Sequence, residues 1–479
     1  MFKGTEVVLI NNEWRTKGIT LVLAIIVGGL LGALTAVASP IYIVGGLVGL
    51  GIGVALLMNT QIGLLTFVGV ATLLPFGVVP VPLGGVKLTF VDAVLSALLL
   101  VWLVRLLTRV RTRLEFTRLG LPVLVFIFLA FTSFVIGTSY YTSPEATRLF
   151  LKLINSVIFF FTVVNCVWSR RQLHQIVMAL ILGGAASAAV VIVLNFMPAA
   201  LATHVLLSLR PLGYYQSGED VLRYIADTNT LRAISTSVDP NVLGALLMLC
   251  LTLAVSQLLS PKPVIGKKWL LPLSALIAVC LLLTLSRGSW IGFMVAMLFI
   301  ATMKYRRLWL LFAIIAVILY FGIMPTDVPF LSHLVSGLEA RDKAAAMRLG
   351  EYKDAIQLIS RYPWFGVGFG NPPSADLYVG VSSVYLLIAE QMGLIGLGTF
   401  LLLLGFLFIE VLKKLGRIAD PQLQSIVLGL VATLVAALVA GVFDHHYFDI
   451  RFPHVAAIVW LVVGLIFVGL RLSETTEHA

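Results

Sequence analysis

Residues 384–417 read VYLLIAEQMGLIGLGTFLLLLGFLFIEVLKKLGR, a long apolar run closed by Lys413, Lys414 and Arg417. An α-helix needs about 20 residues to cross a bilayer, so the run to Leu412 is long enough to span, and a basic group at its end is the usual cytoplasmic anchor. The same unit recurs in both directions along the chain. Reading outward gives spans near 19–38, 41–58, 62–76, 91–108, 119–140, 150–168, 176–197, 241–258, 269–286, 289–303, 308–324, 384–412, 421–443 and 454–470. The pair around Arg287 can also be read as a re-entrant hairpin, which gives a range of about 12–14 spans.

Composition agrees with this reading. The 479 residues are 60% hydrophobic and only 11% charged, with a mean hydropathy of +1.05, outside the balance of soluble globular chains. The net charge of +11 is gathered in short Lys/Arg clusters between apolar runs, which points to membrane anchoring rather than nucleic acid. With fourteen spans every cluster falls on one side: Lys3/Arg15/Lys17, Arg105/Arg109/Arg111/Arg113/Arg118, Arg170/Arg171, Lys262/Lys267/Lys268, Lys304/Arg306/Arg307, Lys413/Lys414/Arg417 and Arg471. Both termini are therefore expected in the cytoplasm. The N-terminal stretch is too polar before its first apolar run for a cleavable signal peptide. Cys166, Cys250 and Cys280 lie inside apolar segments without metal-ligand spacing and read as packing residues.

The expected architecture is an all-α polytopic bundle: N-terminal transmembrane helices over 1–197, a first extracytoplasmic loop at 198–240, central transmembrane helices at 241–324, a large extracytoplasmic loop domain at 325–383, and C-terminal transmembrane helices with a short tail at 384–479. Two loops of this length are expected to be functional. Tyr214, Tyr215, Phe330, Trp364 and a helical stretch from Arg341 to Ser360 make them read as an ordered roof. In that helix Met347, Tyr352, Ile356 and Ile359 follow helical spacing.

Arginine on the outer side opposes the topology signal and calls for a cavity or a partner. Arg287, in the turn LTLSRGSWIG, is either a snorkelling interfacial residue or a cation facing an anion. Arg232, in RAISTSVDPN, has Asp227, Asp239 or a ligand as partner, and Asp239-Pro240-Asn241 is also an ordinary helix start. Arg348 lies on the surface helix. Arg148 and Lys152 share one helical face at the outer end of the sixth span and would repel without a bridging anion. His445 and His446, read as helical neighbours, point to different faces, and His204, His333 and His454 are scattered, so no metal centre is expected. Arginine holds phosphate bidentately without titrating. A polyprenyl diphosphate, with a lipid tail and an anionic head, suits such an outer-leaflet cavity.

Four segments resemble the O-antigen ligase and polymerase superfamily of bacterial inner-membrane glycosyltransferases: RAISTSVDPNVLG at 232–244, LTLSRGSWIG at 283–292, RLGEYKDAIQLISRYPWFGVGFG at 348–370, and YLLIAEQMGLIGLG at 385–398. The third is similar to the family's Arg-x-x-x-aromatic…Pro-x-x-Gly-x-Gly signature. The resemblance covers roughly residues 225–465. It implies a GT-C-like helical fold, an undecaprenyl diphosphate-linked glycan donor, a glycan or lipid acceptor, and metal-independent, inverting transfer without a cofactor on the periplasmic side of the inner membrane. It assigns the diphosphate to Arg232 and Arg348, with Arg287 matching the arginine of the family's Ser-Arg-Gly turn; the charge pattern adds Arg287, Arg148 and Lys152 as candidate diphosphate ligands. One departure stands out. Ligases of the family carry His-Asn before the Tyr-Leu that opens the next span, the histidine serving as base or acceptor-orienting group; this chain has Ser382-Ser383. Asp239, Glu390 and the Asp444/His445/His446 group are the remaining candidates for proton removal, Glu390 because an ionisable group inside a span is a functional candidate by default. Polysaccharide polymerisation by the same chemistry and membrane transport of bicarbonate or of a lipid-linked glycan are the alternatives. Against transport, no internal repeat or matched pair of broken spans is evident.

Overall fold

The structure is a computed structural model that describes residues 51, 59–79, 88–108, 114–138, 143–214, 221–225, 230–310, 312–314, 317, 343–370 and 380–477. Its helices are α1 (Thr60–Leu73), α2 (Phe90–Leu107), α3 (Gly120–Gly137), α4 (Pro144–Cys166), α5 (Arg170–Phe196), α6 (Ala199–Leu207), α7 (Pro240–Leu259), α8 (Lys267–Leu283), α9 (Arg287–Met303), α10 (Lys343–Arg361), α11 (Val384–Leu415), α12 (Pro421–Phe443) and α13 (Pro453–Glu477). Strands β1 (Arg223–Tyr224) and β2 (Leu231–Arg232) form a short antiparallel hairpin. Among the described residues eight helices (α2, α3, α4, α5, α7, α11, α12 and α13) are long and apolar enough to cross a membrane, with α1 and α9 shorter. The chain is an all-α polytopic membrane protein. The expected span at 19–38 and most of those at 41–58 and 308–324 lie outside the described residues, as do Tyr215, Asp227, Phe330, His333 and Arg341.

Polar residues at the span boundaries explain where the helices begin. Thr89 with Asp92, and Ser169 with Gln172, form reciprocal capping boxes. Ser143-Pro144, Asp239-Pro240 and Asp420-Pro421 pair a capping oxygen with proline at the first helical position, where its missing N–H costs no hydrogen bond. The core is built from α4, α7, α12 and α13, each mostly buried along its apolar window, whereas α2, α3 and α11 leave most of theirs outward. α12 is sandwiched between α7, α9 and α13, and α4 packs along α13. Leu247, Leu253, Val427, Val431, Leu461 and Leu465 are fully enclosed there.

The two long loops carry the order expected of them where they are described. Tyr214 is buried and its hydroxyl accepts from Phe76 N at 3.2 Å. The helical stretch of the large loop is α10, but its inward face differs from the spacing read in sequence. Ala355 and Leu358 are buried with Tyr352 beside them, while Met347 and Ile356 are 66% and 60% exposed. The small Ala355 lets that face seat closely, which a count of large apolar residues overlooks.

Glycines lock α10 to α11. Gly393 sits at φ +68° inside α11 and breaks the helix, and Gly366, at φ +69°, approaches the same point. Val367 N donates to Glu390 O at 2.8 Å, Gly368 N to Gln391 O at 3.0 Å and Leu394 N to Pro363 O at 2.7 Å. A Cβ at Gly366 or Gly393 would collide with backbone of the opposing segment. The Pro363-x-x-Gly366-x-Gly368 stretch is therefore a clasp, using left-handed conformations that only glycine adopts without strain.

Candidate functional site

The turn between α8 and α9 is the first wall of the site. Thr284 ends α8, Leu285 takes a left-handed φ of 54°, and Arg287 is already the first residue of α9. A second strained residue, Val238 at φ 63°, precedes the Asp239 cap of α7. Left-handed non-glycine backbone costs on the order of 1–3 kcal/mol and concentrates at functional sites. The two segments touch: Ala233 N donates to Leu283 O at 2.9 Å, and a Cβ at Gly244 would meet Ser286 Cβ at 2.7 Å.

Arg232 spans this junction. Its Nε donates to Thr284 O at 3.0 Å and its Nη2 to Asn241 Oδ1 at 2.6 Å. Burial draws its pKa below the ordinary value, opposed by Asp239 and Asp444 and reinforced by Arg348 and Arg287. An arginine remains charged through such a shift. Those influences put Arg287, Arg348 and two carboxylates within electrostatic reach of Arg232.

A pocket of about 270 Å³ opens beside Arg232, with Asn241, Ser286, Ser289, Arg348, Asp444 and His446 supplying its polar wall and Phe443 and Tyr447 its apolar one. Arg287 stands between Ser286 and Gly288, which both line it. Ser286 and Ser289 share a hydrogen bond of 3.0 Å. Arg348 arrives on α10, which is tied down next to the pocket. Tyr352 Oη lies 3.3 Å from both Ser382 O and Val442 O, and Glu351 Oε2 accepts from Ser382 N at 3.0 Å. Ser382, at the position where the resemblance expects a histidine, thus anchors the helix that carries Arg348. Tyr447 also lines a larger apolar cavity of about 580 Å³, bounded by Phe126, Tyr385, Phe400, Leu434 and Trp460. A cationic, hydroxyl-rich pocket therefore adjoins an apolar one across a single aromatic side chain.

The segment after α12 corrects the helical reading of His445 and His446. α12 stops at Phe443, and residues 444–452 form a turn in which the two rings lie 5.2 Å apart. Asp444 Oδ1 accepts from His445 N at 2.8 Å and lies 3.0 Å from His446 Nε2. His445 Nε2 is 3.1 Å from Asp449 Oδ2, and Asp449 is clasped by Arg451. Burial would raise the Asp444 carboxyl, but the imidazoles of His446 and His445 outweigh it and hold it at about 2.

Other residues named from sequence do not line the pocket. Asp239 Oδ1 caps α7, accepting from Asn241 N and Val242 N at 2.7 and 3.1 Å; it acts on Arg232 through charge. Glu390 is 1% exposed but lies under the glycine clasp, near the amides of Gly380 and Val381 and the carboxylates of Glu351 and Asp354, and is not among the residues lining the pocket. Arg148 and Lys152 belong to α4, away from the pocket lining. Lys152 Nζ meets Asp92 Oδ2 at 2.5 Å, so the chain itself supplies an anion for that lysine. Sequence reading missed Asn241, Ser286, Ser289 and Tyr447 as wall residues. Asn241 and Ser286 lie inside the quoted motifs, and their polarity at the mouth of an apolar span was the available signal.

Residues 272–401 match the family model described as O-antigen ligase. That segment holds most of α8, all of α9 and α10, and the first half of α11, with Arg287 and Arg348; Arg232, Asn241, Asp444 and His446 lie outside it. No curated protein matches the chain.

Proposed function

Taking as premise the membership of the O-antigen ligase and polymerase family that this match supports, we propose that the chain is a membrane glycosyltransferase that moves a glycan from an undecaprenyl diphosphate carrier to an acceptor hydroxyl. The observation that carries the reading is the polar pocket beside Arg232, Arg287 and Arg348, joined through Tyr447 to an apolar cavity. On this reading the diphosphate head group sits in the first and the carrier's nearest prenyl units enter the second.

Inverting transfer has two electrostatic needs. The leaving diphosphate must be stabilised as the bond to the anomeric carbon breaks, and the acceptor must lose a proton. Preorganised cationic donors aimed at developing charge contribute several kcal/mol, and three arginines supply that charge without a metal ion. Arg232 is held by Thr284 O and Asn241 and Arg348 is positioned by the Tyr352 and Glu351 anchors, so little reorganisation is needed as charge develops. The positive-inside pattern puts both termini in the cytoplasm and this pocket on the periplasmic side.

The test is transfer by purified protein in detergent, with undecaprenyl diphosphate-linked oligosaccharide and no added metal or nucleotide. Product is expected, and Arg287→Ala is expected to remove about 99% of it or more. A single added glycan indicates ligation and a ladder of repeats indicates polymerisation. Tight donor binding without product in any acceptor mixture would count against an enzyme and in favour of transport.

A further inference from the structure

The turn 444–452 brings a histidine to the pocket in a chemically specific setting. His446 lines the pocket together with Arg348 and Asn241, is only 5% exposed, and directs Nε2 at Asp444 Oδ1 over 3.0 Å. Both ring nitrogens are buried and neither makes a regular hydrogen bond among the described residues; Nε2 has the Asp444 carboxylate beside it, and Nδ1 has no such neighbour. Buried imidazole nitrogens are ordinarily satisfied, and an orphaned one at the edge of a pocket asks for a ligand. The turn is fixed in place: Val384 N donates to Asp444 O at 3.2 Å, and the His446 ring packs edge-on against Phe452 with centroids 4.9 Å apart.

We propose that His446, held by Asp444, is the catalytic residue that takes the proton from the acceptor hydroxyl. The proposal rests on the transferase reading above. In the step, the acceptor oxygen forms a bond to the anomeric carbon while the bond from that carbon to the diphosphate oxygen breaks, its electron pair leaving with the diphosphate. The hydroxyl proton passes to Nδ1 of His446. Asp444 fixes the ring and stabilises the imidazolium, which later returns the proton to water. The arginines and the histidine then occupy one pocket with divided roles, charge stabilisation for the leaving group and proton removal for the nucleophile.

The charged and titratable groups facing His446 are Asp444, His445 and Asp449 from its own turn, Asp239 at the start of α7, His454 on α13, and Arg348 across the pocket. Burial disfavours its imidazolium, but Asp444 outweighs this, with Asp239 and Asp449 adding to it, and the net pKa is raised above the ordinary histidine value. A base must be neutral to accept a proton, so the rate falls as pH drops through that raised value. The acid limb therefore lies above the pH of about 6.5 expected for an ordinary imidazole. Replacing Asp444 by Asn removes the anion that favours imidazolium and moves the limb to lower pH.

The experiment uses the full chain in detergent, with undecaprenyl diphosphate-linked oligosaccharide as donor and, in separate reactions, the same donor or a lipid-linked sugar as acceptor. Binding of undecaprenyl diphosphate is measured in parallel. His446→Ala is expected to lower transfer by about 10²–10⁴-fold with diphosphate binding nearly unchanged, and added imidazole is expected to restore part of its activity but none to Arg348→Ala. His446→Gln, closer in size and polarity, carries the test if the alanine variant does not fold. Transfer by either folded variant within about threefold of the unmodified protein overturns the proposal, as does an acid limb that Asp444→Asn leaves in place. Transfer that requires a divalent cation, with the cation lost in His446→Ala, also overturns it and makes Asp444, His445 and His446, whose ligand atoms lie within 4.8 Å, a metal site instead. Unmodified protein that binds no undecaprenyl diphosphate defeats the transferase reading itself, an outcome distinct from an active His446 variant.

Discussion

Two clusters of cations, Arg148/Lys152 on α4 and Arg232/Arg287/Arg348 around the α8–α9 turn, carry the same signal in sequence and end in different chemistry. At α4 the charge is closed internally. Asp92, a capping residue of α2 that is itself buried, takes Lys152 at 2.5 Å. At the α8–α9 turn Arg232 is held by neutral groups, a carbonyl and an amide oxygen, and the neighbouring pocket is walled by hydroxyls, an amide, Arg348 and an aspartate with a histidine beside it. An excess of positive charge near the membrane is costly unless it is paired or faces a polar cavity. In one cluster Lys152 is neutralised by a carboxylate, and in the other Arg348 lines a polar pocket.

This contrast can be broken by substitution. The largest effect is expected from Arg348→Ala, which should lower glycan transfer by about 10²–10³-fold with the same unfolding midpoint, because the side chain lines the pocket from a surface helix. Equal loss of activity and stability would make it structural. Next is Lys152→Ala, which leaves Asp92 as an uncompensated buried charge. It should destabilise the protein by about 3 kcal/mol, seen as a lower midpoint in detergent, while transfer per folded molecule is kept; Asp92→Asn combined with it should recover most of the loss. Loss of transfer in folded Lys152→Ala would instead join the two clusters functionally. The smallest effect is expected from Arg148→Ala, an exposed residue, whose transfer should stay within about twofold and whose stability should change by less than about 0.5 kcal/mol.

The span pattern was legible because it depends on local quantities. A run such as 421–443 needs only length and hydropathy to be recognised, and Asp420-Pro421 marks its start. Arg232, Arg287 and Arg348 were legible as a set because each contradicts the charge bias of its own loop. His446 was not. The stretch FDHHYFDIRFP has no periodicity to show that α12 stops at Phe443, and extending the helix by a few residues splits the two histidines onto different faces. Glu390 misled for the opposite reason: an acid at membrane depth is conspicuous in sequence, yet a glycine clasp some 25 residues upstream covers it.

Hydropathy and charge bias are additive along the chain, so a helical membrane protein, the places of most of its spans and the unusual cations between them could be read residue by residue. Which of those cations meets a carboxylate and which lines a pocket, and that Asp444 and His446 share a pocket wall with Arg348, follow from the packing of the helices. Those outcomes depend on residues tens to hundreds of positions apart coming together, such as Asp92 with Lys152 and Arg348 with His446 in the wall of one pocket, and no local pattern encodes a distance across the bundle.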